Sequence, residues 1–285
     1  MKTRRLHFVI TLIVSIGTLA ASLPAWQEPV NPAPIVSAAE PPAGTAALTV
    51  QWMKVSAPGG GVMLLAVARP KGAGPFPAIL LLHGTHGFAH QYVRLAEDLA
   101  RGGLLAVAAC WFSGGSGAGV QLMTPIGCPD APPLTVPNSP DAMQRVVTLL
   151  QSVRLLPDVR PDRVAIFGHS RGGGAASQYL LNASDVRAVV LSSTGYPSEL
   201  TSRVDRITTP ILMFHGARNE PADGGSALSN IQMARDFEAA LRLAGKPVEF
   251  VYYERGAHNS VFSDAAQYKD QVRRMLGFLR PFLDK

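Results

Sequence analysis

The sequence predicts an α/β domain built around a mostly parallel β-sheet of about eight strands, and three observations lead to this fold class. The chain has 285 residues, of which 47% are hydrophobic and 16% charged, so it can bury a large core. From residue 46 onward, apolar runs of strand length alternate with segments whose apolar residues recur at helical spacing. Several of the short runs are continuously apolar, which is typical of parallel strands that are buried on both faces.

The first 45 residues differ in composition from the rest of the chain. Residues 1–25 combine a basic start, a short apolar run and small residues, which is the layout of a secretory signal peptide. The apolar run is too short to span a membrane comfortably, although an uncleaved amino-terminal anchor is the alternative. Residues 26–45 contain five prolines without periodicity and predict an extended linker. We therefore expect a secreted or periplasmic protein with one domain at residues 46–285 and no stable membrane insertion after cleavage.

The elements of this domain follow in chain order. Alternating or continuous apolar runs predict strands over residues 47–55, 62–68, 78–82, 104–109, 163–167, 188–191, 211–214 and 248–253. The first two strands form an antiparallel hairpin at the sheet edge, because a Pro-Gly-Gly-Gly turn joins them. Apolar residues at helical spacing predict helices over residues 91–101, 175–181, 230–243 and 265–283, and one helix that starts after the cap residue Ser139. The irregular stretch at 111–138 is long enough to be functional.

The strongest motif is Gly-His-Ser-Arg-Gly at residues 168–172, which lies between an apolar strand and a helix. A G-x-S-x-G motif in this setting is a nucleophile elbow, in which a tight turn holds the serine oxygen above the sheet. The two glycines are needed because a side chain at either position would collide with the neighbouring strand or helix. The motif therefore predicts that Ser170 is a nucleophile.

A serine nucleophile needs a base within hydrogen-bond reach and a third group that orients the base. In elbow folds the chain order is serine, acid, histidine, and only His215 and His258 follow Ser170. His258 lies in a loop after the last predicted strand, where it can reach the serine, and we assign it as the base. His215 ends a predicted strand, and we expect it to be a packed structural residue.

The acid should follow the strand at residues 211–214, where the candidates are Asn219, Glu220 and Asp223. An asparagine can orient the imidazole, but it cannot stabilise the positive charge that develops there. We therefore favour Glu220, with Asp223 second and Asn219 as the remaining alternative.

The oxyanion of the tetrahedral intermediate needs preformed donors. The backbone N–H of Arg171, directly after the nucleophile, and that of Thr85, after the central strand, are the predicted donors, and His86 is an alternative to Thr85. We expect Trp111 and Phe112, at the start of the irregular stretch, to wall a moderately apolar substrate pocket.

The composition also limits the classes of ligand. Three of the positive charges behind the formal net charge of +6 lie in the predicted leader and the others are scattered, so no nucleic-acid footprint is present. Cys110 and Cys128 do not have the spacing of a zinc site. In an oxidising compartment the two cysteines could form a disulfide, and two free thiols are the alternative. The chain has no Walker-type loop, dinucleotide fingerprint or HExxH motif, so we expect neither a metal nor a cofactor.

The motifs HGTHG, GHSRGG, PILMFHGARNEPAD and GAHNSVF, in this order, resemble those of the α/β-hydrolase fold and, within it, of the dienelactone hydrolase-like family, over about residues 46–285. The resemblance implies an eight-stranded sheet with helices on both faces and hydrolysis of esters or lactones without a cofactor. Named members of that family use cysteine in the elbow, so Ser170 indicates the serine carboxylesterases of the same branch. Asn219 stands where the family usually has aspartate.

The sequence therefore predicts an exported serine hydrolase that acts on a small-molecule ester or lactone. The alternative among enzymes is a peptidase of the prolyl oligopeptidase type, which shares the elbow. The alternative from another class is a non-catalytic homologue that binds a ligand, and Asn219 is the residue that favours it.

Overall fold

A computed structural model describes residues 33–114, 122–218 and 225–284, and a nine-stranded β-sheet runs through them. The strands are β1 (Val36–Ala38), β2 (Gln51–Ser56), β3 (Val62–Ala68), β4 (Phe76–Leu82), β5 (Leu105–Cys110), β6 (Val159–His169), β7 (Ala188–Ser192), β8 (Ile211–Gly216) and β9 (Val248–Tyr253). Their order in space is β1-β2-β3-β5-β4-β6-β7-β8-β9. Strands β4 to β9 pair in parallel, whereas β1, β2 and β3 pair antiparallel. The sheet is therefore mostly parallel, as predicted.

The additional strand, β1, lies in the segment that the sequence predicts to be an extended linker. Residues Val36–Ala38 pair with β2, and Val36 lies opposite Val55. Three residues are too few to show a period of two, which is why the pattern does not predict this strand. The predicted signal peptide at residues 1–25 lies outside the described residues.

Helices cover both faces of the sheet. They are α1 (His90–Arg101), α2 (Pro140–Leu155), α3 (Arg171–Leu180), α4 (Ser198–Thr201), α5 (Ile231–Leu243), α6 (Ser260–Ser263) and α7 (Ala265–Leu283), with short 3₁₀ turns at Val204–Arg206 and Ala227–Ser229. Helices α1 and α7 pack on one face, and α2, α3 and α5 pack on the other. None of the helices in the described part of the chain is long and apolar enough to cross a membrane.

The central strands are buried on both faces because each contributes alternate residues to two cores. In β4, Leu80 and Leu82 belong to the core under α2 and α3, whereas Ile79 and Leu81 belong to the core under α1 and α7. All four side chains are fully buried. This arrangement explains the continuous apolar run that predicted a central strand, and it fixes the carboxyl end of β4 beside that of β6.

A disulfide joins Cys110, at the end of β5, to Cys128, so of the two alternatives the structure contains the bonded one. Residues 122–138, which we call the strap, contain Cys128 and lead to α2. The strap is held to the sheet because the Val62 amide donates to the Asp130 carbonyl at 2.6 Å. Downstream, the Ser139 side chain caps α2 by accepting a hydrogen bond from the Ala142 amide.

Candidate active site

Ser170 lies in a sharp turn between β6 and α3. Its φ of 52° and ψ of −117° form a backbone conformation that residues with a side chain rarely adopt. A Cβ atom at Gly168 would overlap the carbonyl of Gly172, and one at Gly172 would overlap the carbonyl of Leu82 in β4. The two glycines therefore allow β4, β6 and α3 to approach closely enough to present the serine, as the motif predicted.

His258 reaches this serine from the loop that follows β9. Its Nε2 atom lies 3.0 Å from Ser170 Oγ, so the hydroxyl can donate to the imidazole. The side chain of His258 is 5% exposed. This burial, together with the charges of His215 and His86, lowers the pKa of His258 to about 3. The imidazole is therefore neutral at neutral pH and can accept the proton of Ser170.

A second pair of residues lies directly beside the first. His169 Nε2 lies 2.9 Å from Asn259 Oδ1, and His169 Nδ1 lies 3.2 Å from Ser192 Oγ. Burial is the main reason that the pKa of His169 lies well below its ordinary value, so the ring is neutral, donating to Asn259 and accepting from Ser192. The turn that carries the nucleophile and the loop that carries the base are thus cross-linked by adjacent residues. The sequence analysis did not identify this pair. Its only signal in the sequence is that His169 precedes Ser170 and Asn259 follows His258.

The predicted oxyanion donors both lie next to Ser170. A Cβ atom added to Gly84 would come 3.0 Å from the Cβ of Ser170, which places the Thr85 loop against the nucleophile. Arg171 is the first residue of α3, where a helix leaves its amide hydrogens without intrahelical acceptors. The side chain of His86 is turned to another partner, because its Nε2 lies 2.8 Å from the Tyr92 hydroxyl. The arrangement favours Thr85 and Arg171 as donors.

A cavity of about 590 Å³ opens beside the serine. It follows one face of α3, where Ser170, Gly174, Gln178 and Leu181 all line it. A helix rises 1.5 Å per residue, so this face is about 16 Å long. The rest of the lining is largely apolar and includes Val136, Pro137, Pro197, Leu200, Leu228 and Met233. The cavity can hold an elongated apolar group next to the nucleophile.

The aromatic residues that we expected to wall this cavity lie elsewhere. Trp111 is 0% and Phe112 1% exposed, and neither is among the described residues that line the cavity. The Trp111 indole donates to the carbonyl of His83 at 3.0 Å, and the Phe112 ring lies 4.3 Å from the His83 ring. Both belong to the core because burial of large aromatic surfaces contributes more to stability than exposure at a rim. From the irregular stretch, Val136 and the two residues after it line the cavity instead.

The three candidates for the acid, Asn219, Glu220 and Asp223, lie outside the described residues. Arg218, the last described residue before them, lies beside the loop of His258, because its amide donates to the Gly256 carbonyl at 2.9 Å. The identity of the acid therefore stays a prediction.

His215 is a packed residue at the end of a strand, as the sequence predicts. It is 3% exposed, and its Nε2 donates to the carbonyl of Ser229 at 2.7 Å. Within the described ranges, no group of three or more histidine, cysteine, aspartate or glutamate side chains is arranged to hold a metal ion.

Comparison with known proteins gives a family match and a set of structural likenesses. The family model of the dienelactone hydrolase family matches residues 64–282. A Klebsiella pneumoniae protein with a provisional dienelactone hydrolase assignment has a TM-score of 0.61 and 20% identity, over 76% of this chain and 92% of that one. The Est2 esterase of Thermogutta terrifontis has a TM-score of 0.58 and 20% identity, over 78% of this chain and 89% of that one.

A third similar structure is the acylaminoacyl peptidase of Pyrococcus horikoshii, with a TM-score of 0.64 and 13% identity. The match covers 83% of this chain and 42% of the peptidase chain. No curated protein matches the sequence. At these identities the structural likenesses confirm the predicted fold and leave the substrate open.

Proposed function

Because the chain belongs to the dienelactone hydrolase family, we propose that it is an exported serine hydrolase that acts on carboxylic esters or lactones. The observation that carries the proposal is the 3.0 Å contact between Ser170 Oγ and His258 Nε2. This contact lies at a strained elbow that faces a cavity, and such a combination is typical of enzymes that form a covalent intermediate on serine.

In the proposed reaction, Ser170 Oγ attacks the carbonyl carbon of the ester while His258 Nε2 takes the hydroxyl proton. The carbonyl oxygen becomes negatively charged, and the amides of Thr85 and Arg171 donate hydrogen bonds to it. His258 then gives its proton to the departing alkoxide, which leaves as an alcohol. A water molecule releases the acyl group by the same steps, with His258 again acting as the base.

A carboxylate beside His258 would orient the ring and stabilise its protonated form during the reaction. We propose Glu220 for this role, with Asp223 and Asn219 as the alternatives. The path of the chain supports an acid from this segment, since Arg218 precedes it and its amide donates to the Gly256 carbonyl in the loop of His258.

The cavity supports esters of small or medium apolar acyl groups as substrates. Its apolar walls run along α3 away from Ser170, so an acyl chain can extend there while the ester carbonyl stays at the elbow. Export is supported by the basic and apolar start of the chain and by the disulfide between Cys110 and Cys128.

Hydrolysis of p-nitrophenyl esters of increasing acyl length tests this function. We expect turnover by the wild-type protein and loss of at least about 1,000-fold in Ser170→Ala, since triad residues contribute that much to serine hydrolases. Ser56→Ala, at the exposed end of β2, is the matched control and should keep wild-type turnover. Equal background rates in wild type and Ser170→Ala would favour the non-catalytic binding protein.

A peptidase is the second candidate, because the fold also resembles that of an acylaminoacyl peptidase. An acylated amino-acid p-nitroanilide added to the same substrate panel distinguishes the two. Cleavage of the anilide with a higher kcat/KM than any ester would replace the esterase proposal by the peptidase.

A further inference from the structure

The side chain of Arg171 connects the loop of Thr85 to the strap. Its Nε donates to the Thr85 hydroxyl at 3.1 Å, and its Nη1 donates to the Thr135 carbonyl at 2.5 Å. We propose that Arg171 is a positioning residue, whose guanidinium holds the Thr85 amide in the direction that the oxyanion requires. This inference rests on the proposed function and adds a role for the side chain of Arg171 to that of its amide.

The loop that carries Thr85 needs such a support. Gly84 and Gly87 flank it, and residues other than glycine rarely adopt the φ of 95° found at Gly87. The Gly84 amide donates to the Tyr92 hydroxyl at 2.9 Å, which fixes one end of the loop. At Thr85 itself, the side-chain hydroxyl accepts the hydrogen bond from Arg171. A shift of the Thr85 amide by a fraction of an ångström would weaken its bond to the oxyanion.

The other end of the Arg171 side chain is attached to a rigid part of the strap. The Ser113 amide donates to the Pro132 carbonyl at 2.7 Å, and Arg145 Nη1 donates to the Pro133 carbonyl at 2.8 Å. The two accepting residues lie three and two positions before Thr135. The planar guanidinium therefore bridges the Thr135 carbonyl and the Thr85 hydroxyl, and its fork of donors fixes both distances at once.

The positive charge of Arg171 also favours an oxyanion at this site. Arg171 is half-buried, and burial lowers the pKa of its guanidinium. Within the described part of the chain, it forms no ion pair with a carboxylate. The positive charge at the start of α3 adds to the partial positive charge of the helix terminus and favours an oxyanion there.

Four variants test the proposal on a neutral p-nitrophenyl ester. Arg171→Met and Thr85→Val each remove one partner of the hydrogen bond and keep both backbone amides. We expect a 10- to 100-fold lower kcat with KM within about threefold of wild type, which is less than the loss of an oxyanion donor itself. Thr85→Ser keeps the hydroxyl and should restore kcat to within threefold. The double variant should be no slower than the slower single variant, because both remove the same contact.

Arg187→Met is the matched control, since Arg187 is an exposed arginine that pairs with Asp162. It should keep the wild-type kcat. Thermal unfolding of all variants shows whether the lower kcat comes with a loss of fold. Wild-type kcat in Thr85→Val, or additive losses in the double variant, would overturn the proposal. A higher KM with unchanged kcat in Arg171→Met would also overturn it, because Arg171 would then act by binding the substrate.

Hydrogen exchange of the amides at residues 84–87 separates this proposal from the proposed function. If the wild-type protein hydrolyses no ester, the proposed function fails, and exchange still tests the support of the loop. Faster exchange of these amides in Arg171→Met, with other segments unchanged, is the expected result. Equal exchange in wild type and Arg171→Met would overturn the proposal on its own.

Discussion

Among the single residues, Ser170 combines the proposed nucleophile with an unfavourable backbone conformation. Its φ of 52° and ψ of −117° are tolerated because β6 and α3 fix the residue from both sides. Such strain costs about 1–3 kcal/mol and is relieved most by glycine. Ser170→Gly should therefore unfold at a higher urea concentration than Ser170→Ala, although both variants lack the nucleophile. Equal midpoints would show that the turn is not strained.

His258 gives a second prediction at this level, for the dependence of activity on pH. The base must be unprotonated, and burial with the nearby histidines lowers its pKa to about 3. Activity should therefore be present above the pKa of His258 and be lost as pH falls through it. We expect the acidic limb of kcat/KM to lie below the ordinary histidine value of about 6.5. A limb at pH 7 or above would contradict this prediction.

The same profile tests the predicted acid. A carboxylate at Glu220 would raise the pKa of His258 and stabilise its protonated form in the transition state. Glu220→Gln should therefore move the acidic limb of the profile to lower pH and lower kcat. Asp223→Asn is the matched variant for the alternative acid, and an unchanged profile in both would favour Asn219.

At the scale of elements, long periodic segments were predictable and short ones were not. Ala265–Leu283 is a helix as predicted, because nineteen residues show their apolar face clearly. Elements of three or four residues, such as Val36–Ala38 and Ser198–Thr201, have too few positions to show a period. Trp111 and Phe112 were placed in the pocket wall because sequence does not show whether the chain turns inward after β5.

The disulfide attaches the strap to the end of β5. The bridge from Cys110 to Cys128 closes a loop across a sequence separation of 18, and a loop of this size stabilises a fold by about 3 kcal/mol through chain entropy. Reduction with dithiothreitol should lower the free energy of unfolding by about that amount, as measured in urea. Cys128→Ser without reductant should match the reduced wild type. No change on reduction would show that the bond does not stabilise the fold.

At the scale of the whole molecule, the sheet brings the ends of β4, β6, β7 and β8 to one edge, where the site forms. The contact between Ser170 and His258 was predictable, because the elbow motif and the chain order indicate both residues. The partners Asn259 and Thr135 were not, because their contacts with His169 and Arg171 join segments far apart in the chain. Nothing in a local pattern determines which distant polar group a side chain meets.

The shape of the cavity gives a prediction at this scale. Gln178 lines it two turns of α3 beyond Ser170, which is about 12 Å along the helix. Gln178→Trp should lower kcat/KM for p-nitrophenyl octanoate at least tenfold more than for the acetate, because the larger side chain fills the space towards Ser170 that only the longer acyl group enters. Gln178→Ala should leave the ratio of the two rates within twofold. If Gln178→Trp leaves this ratio unchanged, the acyl group lies elsewhere.

Trapping the covalent intermediate would test most directly whether this protein is a serine hydrolase. A fluorophosphonate should label the wild-type protein once, and peptide mass spectrometry should locate the label on Ser170. His258→Ala should be labelled at least about 100-fold more slowly, since general base catalysis contributes 10²–10⁴ to such steps. Failure of Ser170 to react, or a label on another residue while esters are still hydrolysed, would contradict the proposed mechanism.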